Sequence, residues 1–213
     1  YRPTYFKACS DALEIGGGSG SGSGRIKLDL HTQNITIDIY DSGSPAETGI
    51  PTVLLKAINT GNLLNILKGS VGVAYFEGEV STFPTIRVAH RDNPAGDASV
   101  VCGDGVTLTT IQQSGGELTI ESGATTITQE AGVLTVLGTA AVTTLSLVGT
   151  VYDRSNGTFA TVQILPGGAV DRSQDLRPKT YTNTEMNKGA ILKDPFSTIT
   201  HTNGIDLYRC SPQ

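Results

Sequence analysis

The stretch "VTLTTIQQSGGELTI", Val106–Ile120, is followed by a shorter near-copy, "ATTITQEAGVLTV", Ala124–Val136. Each holds a Thr-Thr-apolar segment (Thr109-Thr110-Ile111, then Thr125-Thr126-Ile127), a Gly turn (Gly116, Gly132) and a second segment alternating apolar with polar (Leu118-Thr119-Ile120, then Leu134-Thr135-Val136). Alternation with period two sends one side chain inward and the next outward, which is a strand half-buried on one face. Two strands this short cannot bury their apolar face alone. Stacked on copies of themselves they build a continuous ladder and a continuous core.

The pattern continues downstream. "AVTTLSLVGTVY" (Ala141–Tyr152), "TFATVQILPGGAV" (Thr158–Val170), "TYTNTEMNKGAIL" (Thr180–Leu192) and "FSTITHTNGIDL" (Phe196–Leu207) repeat its parts, with turns at Gly149, Gly167, Gly189 and Gly204. The mean period is roughly 17–18 residues, in reach of small β-helices. Upstream the units are looser. "RIKLDLHTQNITIDIY" (Arg25–Tyr40) reads as two strands around a turn, "NLLNILKGSVGVAYF" (Asn62–Phe76) as strand–Gly–strand, and "FPTIRVAHRDNPAGDASVVC" (Phe83–Cys102) as a unit with a long polar corner. "TVLLKAINTGNLLNIL" (Thr52–Leu67) comes nearest to a helix, but Asn59, Gly61 and Asn62 divide it into two strands around a turn.

The expectation is therefore all-β: a single-stranded parallel β-solenoid, a right-handed β-helix of about nine or ten short rungs and roughly 45 Å length at the ~4.8 Å strand spacing. Two segments are expected, an N-terminal lead-in over 1–24 with its Gly/Ser-rich loop, and the solenoid over 25–213. Gly16–Gly24 resembles an engineered linker, but it joins two strand-like pieces and is read as a native loop from a first strand (Leu13–Ile15) into the first rung (Ile26–Leu30). The irregular, aromatic start (Tyr1, Tyr5, Phe6) is a candidate cap for the first rung.

Composition narrows the function. Charged residues make up 16% against a usual ~25%, and there are 26 Gly and no Trp, which suits many strands and tight turns rather than a helical enzyme. The net charge of −5, with no Lys/Arg cluster, argues against a nucleic-acid surface. No apolar run reaches the ~20 residues of a helical membrane span. Cys9, Cys102 and Cys210 share no CxxC spacing and are read as buried or free thiols, the alternative being a disulfide between two of them that sequence cannot pair. His31, His90 and His201 have no metal-pair spacing, so no cofactor or metal is expected. The Gly run satisfies no register of a G-x-G-x-x-G fingerprint and no helix follows it.

Carboxylates deserve a test because glycoside hydrolysis uses acidic pairs. The candidates are Asp92 and Asp97 on the long corner, Asp104, and Glu117 with Glu121. The first two flank a turn where Asp is favoured for its local hydrogen bonds, and no acid recurs beside Glu117 or Glu121 in the next units. No catalytic residue is assigned. "DRSQDLRPK" (Asp171–Lys179) is the one charge-dense stretch and lengthens one rung. It reads as a solvated loop, or as a docking loop whose Arg177 and Lys179 pair with acids of a neighbouring subunit.

"YRPTYFKACSDALEIGGGSGSGSGRIKLDL", "SPAETGIPTVLLKA", "NILKGSVGVAYFEGE", "VVCGDGVTLTTIQQSGGELTI" and "DLRPKTYTN" with "DPFSTITHTNGIDL" together resemble a family of uncharacterised proteins of tailed phages, prophage-like regions and metagenomes. The likeness is one of style and repeat over nearly the whole chain. It implies a virion structural protein of the minor capsid, head-decoration or tail-associated kind, on the particle surface. The expected partners are copies of itself, a trimer above all, and another capsid or tail protein, with no nucleic acid and no membrane. Three rival functions are a receptor- or glycan-binding fibre domain, with Tyr75, Phe76 and Tyr152 as candidate contacts, a polysaccharide depolymerase, and a subunit of a non-viral extracellular filament.

Overall fold

The computed structural model describes residues 12–15, 26–30, 34–40, 42, 50–89 and 98–208. Among them there is no helix. The strands are β1 (Ala12–Ile15), β2 (Ile26–Asp29), β3 (Thr36–Ile39), β4 (Val53–Lys56), β5 (Leu63–Ile66), β6 (Gly69–Val73) and β7 (Ser81–Thr82). There follow β8 (Thr85–Val88), β9 (Ala98–Cys102), β10 (Val106–Gln113), β11 (Glu117–Ile120), β12 (Ala124–Gln129), β13 (Val133–Gly138) and β14 (Val142–Leu147). The series ends with β15 (Thr150–Ser155), β16 (Phe159–Ile164), β17 (Ala169–Asp171), β18 (Lys179–Asn187), β19 (Ile191–Lys193), β20 (Ile199–His201) and β21 (Ile205–Tyr208).

Successive strands alternate between two parallel sheets, so the chain winds as a β-solenoid. One sheet runs β1-β3-β5-β8-β10-β12-β14-β16-β18-β20, with β21 also on β18, and the other runs β2-β4-β6-β9-β11-β13-β15-β17-β19. The short β7 pairs with the first residues of β10 and makes an extra corner. β1 pairs with β3 in register from Ala12 to Ile15, so the ladder reaches back past the expected boundary at 24/25. The Gly/Ser run thus connects two strands of one body, β1 in the first sheet and β2 in the second. The run itself, the start at 1–11, Cys9, Cys210, His31, His90, Asp92 and Asp97 lie outside the described residues.

Register follows chemistry. In the first sheet Leu64, Ile86, Ile111, Ile127, Leu145 and Val162 are in-register neighbours from β5 to β16. All six are fully buried. On the outward face of the same strands, Thr85, Thr110, Thr126, Thr144 and Thr161 form a threonine column. β-branched side chains fit this pleated surface, and a one-residue slip would exchange the two columns, so the pattern locks the register. At one corner, Gly116 and Gly132 have φ of +65° and +85°. A side chain on Gly132 would fall on the Gly116 carbonyl, and one on Gly149 would stand 2.6 Å from the Gly132 carbonyl oxygen. Only glycine lets consecutive coils stack that closely there.

The same corner is braced from inside. Gln113 Nε2 donates to the carbonyls of Gly116 (3.1 Å) and Val133 (2.9 Å). One coil later Gln129 Nε2 does the same to Gly132 (3.1 Å) and Thr150 (3.0 Å). The Gly116 and Gly132 carbonyls also accept main-chain N–H groups of the next coil, from Val133 (2.9 Å) and Thr150 (3.1 Å), so the repeated Gln adds a second donor at each corner.

Candidate functional site

The second sheet carries an inward column that starts apolar and ends charged. Leu28, Leu55, Val73, Cys102, Ile120 and Val136 precede Asp153 in register. Asp153 therefore occupies a core position, and its side chain has no exposure. A lone buried carboxylate would be very costly, so it must be paired. Two partners come from the ends of the charge-dense loop that follows β17. Arg172 leaves the second sheet and Lys179 begins β18, and both side chains turn into the core with no exposure.

The geometry is closed on all sides. Arg172 Nη1 lies 3.3 Å from Asp153 Oδ2, and the Tyr181 hydroxyl donates to the same oxygen at 2.8 Å. Asp153 Oδ1 lies 3.2 Å from Lys179 Nζ and accepts from Ser155 Oγ at 3.0 Å. Lys179 Nζ donates to Ser155 Oγ at 2.6 Å, so that hydroxyl stands between amine and carboxylate. Phe159 and Tyr181, in-register neighbours, lie parallel with centroids 5.4 Å apart, and the ammonium sits 3.5 Å from the Phe159 centroid. Arg172 also donates to the carbonyls of Asp153 (3.2 Å), Ser155 (2.8 Å) and Arg177 (2.5 Å), and to Thr198 Oγ1 (3.0 Å).

Burial pushes Lys179 down to about 8 despite the opposing pull of Asp153. Burial raises the Tyr181 phenol, and the Asp153 carboxylate adds to that shift. At the outer edge Arg177 lowers the Asp175 carboxyl below its ordinary value through paired bonds, Nε to Oδ1 at 3.0 Å and Nη2 to Oδ2 at 2.7 Å, against the opposing effect of burial.

These positions revise the expected docking loop. Lys179 does not face a neighbouring subunit, because its ammonium is enclosed by Asp153, Ser155 and Phe159 of its own chain. Arg177 is half-exposed, but its acid partner is Asp175 two residues away, and its Nη2 also donates to the Arg154 carbonyl at 2.6 Å. The sequence reading missed Asp153, Ser155 and Arg172. A signal was present: Val151 aligns with Leu134, so Asp153 takes the place of the inward Val136.

The candidate aromatics lie apart: Tyr75 and Phe76 follow the end of β6, and Tyr152 is on β15. Tyr75 folds back over Gly72, where an added side chain would stand 3.0 Å from both Tyr75 Cβ and Leu54 Cδ2. Phe76 is exposed, edge-on to Tyr75 at 5.4 Å, with Lys27 Nζ 5.6 Å from its centroid. Tyr152 is half-buried beneath the Arg154 guanidinium, 5.6 Å from its centroid. It shares an outward column with Gly72, Val101, Thr119 and Thr135. Four strand spacings, about 19 Å, separate Tyr152 from Gly72, so the three rings do not form one groove.

The other candidates stay separate too. Asp104 is exposed in a turn. Glu117 is exposed between Ser99 and Val133 in register, with Glu121 beyond the far end of β11. His201 Nδ1 is 2.8 Å from Thr184 Oγ1, and burial lowers its pKa. Cys102 is wholly buried, and burial pushes its thiol up to about 12. Among the described residues no three His, Cys, Asp or Glu side chains converge as a metal site.

No protein-family model matches the chain, and no curated protein or solved structure matches it.

Proposed function

We propose that the chain is a structural component of a virion surface: a rigid β-helical decoration, minor capsid or fibre element, assembled as a homo-oligomer, trimer favoured, on another virion protein. The observation that carries this reading is mechanical. An in-register parallel ladder runs through ten strands of one sheet and nine of the other. Such a body transmits load along its axis, and local opening must break ladder bonds in two sheets at once. The resemblance in style and repeat supports the viral setting. Ile191, Phe196, Ile205, Leu207 and Tyr208 are all exposed, and they fall within the last coils, which supports a protein contact at that end.

Proteomics of density-purified particles, with labelled antibody and electron microscopy, tests the reading. The chain is expected in the particles at a fixed copy ratio and at their surface. Its exclusion from purified particles, or its presence in cellular filaments, overturns it. The rival of a receptor- or glycan-binding fibre rests on exposed Phe76 beside Lys27. Glycan-array binding that Phe76→Ala abolishes would favour that rival.

A further inference from the structure

We propose that Lys179 and Asp153 are a covalent modification site: the Lys179 amine condenses with the Asp153 carboxyl group to an intramolecular isopeptide bond. The cluster provides each part of that reaction. Nucleophile and carboxylate are 3.2 Å apart, both without exposure, and the amine nitrogen lies 3.5 Å from the Phe159 ring centroid and 5.9 Å from that of Tyr181. Holding the two groups together in a water-poor site supplies proximity and favours loss of water. Burial already weakens the amine's hold on its proton, which helps supply the neutral nucleophile.

The balance closes without any outside reagent. One ammonium proton passes to Asp153 Oδ1, leaving an amine and a carboxylic acid. The amine nitrogen forms a bond to Asp153 Cγ, and negative charge moves onto Oδ2. That oxygen faces Arg172 Nη1 at 3.3 Å and the Tyr181 hydroxyl at 2.8 Å, two donors set where charge develops. A second nitrogen proton travels through the Ser155 hydroxyl, 2.6 Å from Nζ and 3.0 Å from Oδ1. The Cγ–Oδ1 bond then breaks and Oδ1 leaves as water. Nothing is oxidised or reduced.

Charge also closes. The buried cluster holds two cations, Arg172 and Lys179, and two anions, Asp153 and Asp175. Condensation removes one of each and leaves Arg172 beside Asp175, 3.8 Å away. It relieves the desolvation cost of one buried ion pair. It also ties β15 to β18 across the intervening coil of β16 and β17, which staples the solenoid where the long loop interrupts it.

Intact mass spectrometry of the full chain tests this, followed by digestion and fragment sequencing. The expected result is a mass lower than the sequence mass by one water, and a branched peptide joining Asp153 to Lys179. Lys179→Arg is expected at its full sequence mass. Ser155→Ala keeps amine and carboxylate but loses the relay, and its condensed fraction is expected to fall several-fold at equal incubation. Wild type that stays at full mass after long incubation at pH 8–9, or a water loss mapped elsewhere, overturns the proposal. An unchanged rate in Ser155→Ala overturns the relay.

Discussion

Arg172 Nη1 donates to the main-chain carbonyl of Ser155 at 2.8 Å, joining one coil to the preceding one from inside the solenoid. The guanidinium replaces ladder bonds that the loop after β17 cannot make. Its removal leaves the carbonyls of Asp153, Ser155 and Arg177 short of a donor. Arg172→Met is expected to cost about 3–5 kcal/mol, the scale for breaking a buried ionic cluster. In a chain of this size that lowers Tm by roughly 10 °C. Calorimetry checks it, and a loss under 1 kcal/mol would show that the cluster contributes little.

Gly132 is expected to reject alanine. Its φ of +85° is strained for any side chain, and the Gly116 carbonyl occupies the space a Cβ needs. Gly132→Ala should destabilise by about 3 kcal/mol. Gly167→Ala is the control, since its φ of +88° is similar but nothing stands within 4 Å. Chemical unfolding of the pair separates backbone strain from collision; equal losses would assign the whole effect to strain.

Cys102 should not react with a thiol reagent at neutral pH while the solenoid is folded. It has no exposure, and burial holds its pKa at about 12, so almost no thiolate forms. Labelling in native buffer and in denaturant, read by peptide mapping, checks this. Rapid native modification of Cys102 would contradict the burial.

Asp171 links stability to acid pH. Its carboxyl group is held at about 2, first by the Ser173 hydrogen bond and also by Lys193 at 2.9 Å, with burial opposing. The folded value lies below the ordinary 3.8, so the unfolded chain takes up the proton first. The stabilisation is therefore complete above about pH 4 and lost as pH falls through about 2. For a partly exposed pair it amounts to about 1 kcal/mol. The difference between wild type and Asp171→Asn, measured by urea unfolding, should shrink below about pH 4 and vanish as pH falls below about 2. A constant difference would exclude the linkage.

The repeat was the legible part of the chain. Val106–Ile120 against Ala124–Val136 places Leu118 beside Leu134 and Thr119 beside Thr135, and β11 pairs with β13 in that alignment. Period-two alternation survives because each unit faces the same core. The buried cluster was less legible because charged residues suggest solvent. "DRSQDLRPK" reads as a surface loop, yet only Gln174, Leu176, Arg177 and Pro178 are exposed, while Arg172, Asp175 and Lys179 are buried.

The amino-acid sequence by itself determined the strands, the Gly corners and the stacking, because these depend on local alternation and on bends that glycine permits. Tertiary structure decided which charges are partners. Asp153, Arg172 and Lys179 come from three segments, and they meet only once β15, the loop after β17, and β18 are stacked. The physical reason is that parity along a strand tells a side chain which way to face, while the partner it finds there depends on how far the chain travels before the next coil closes over it.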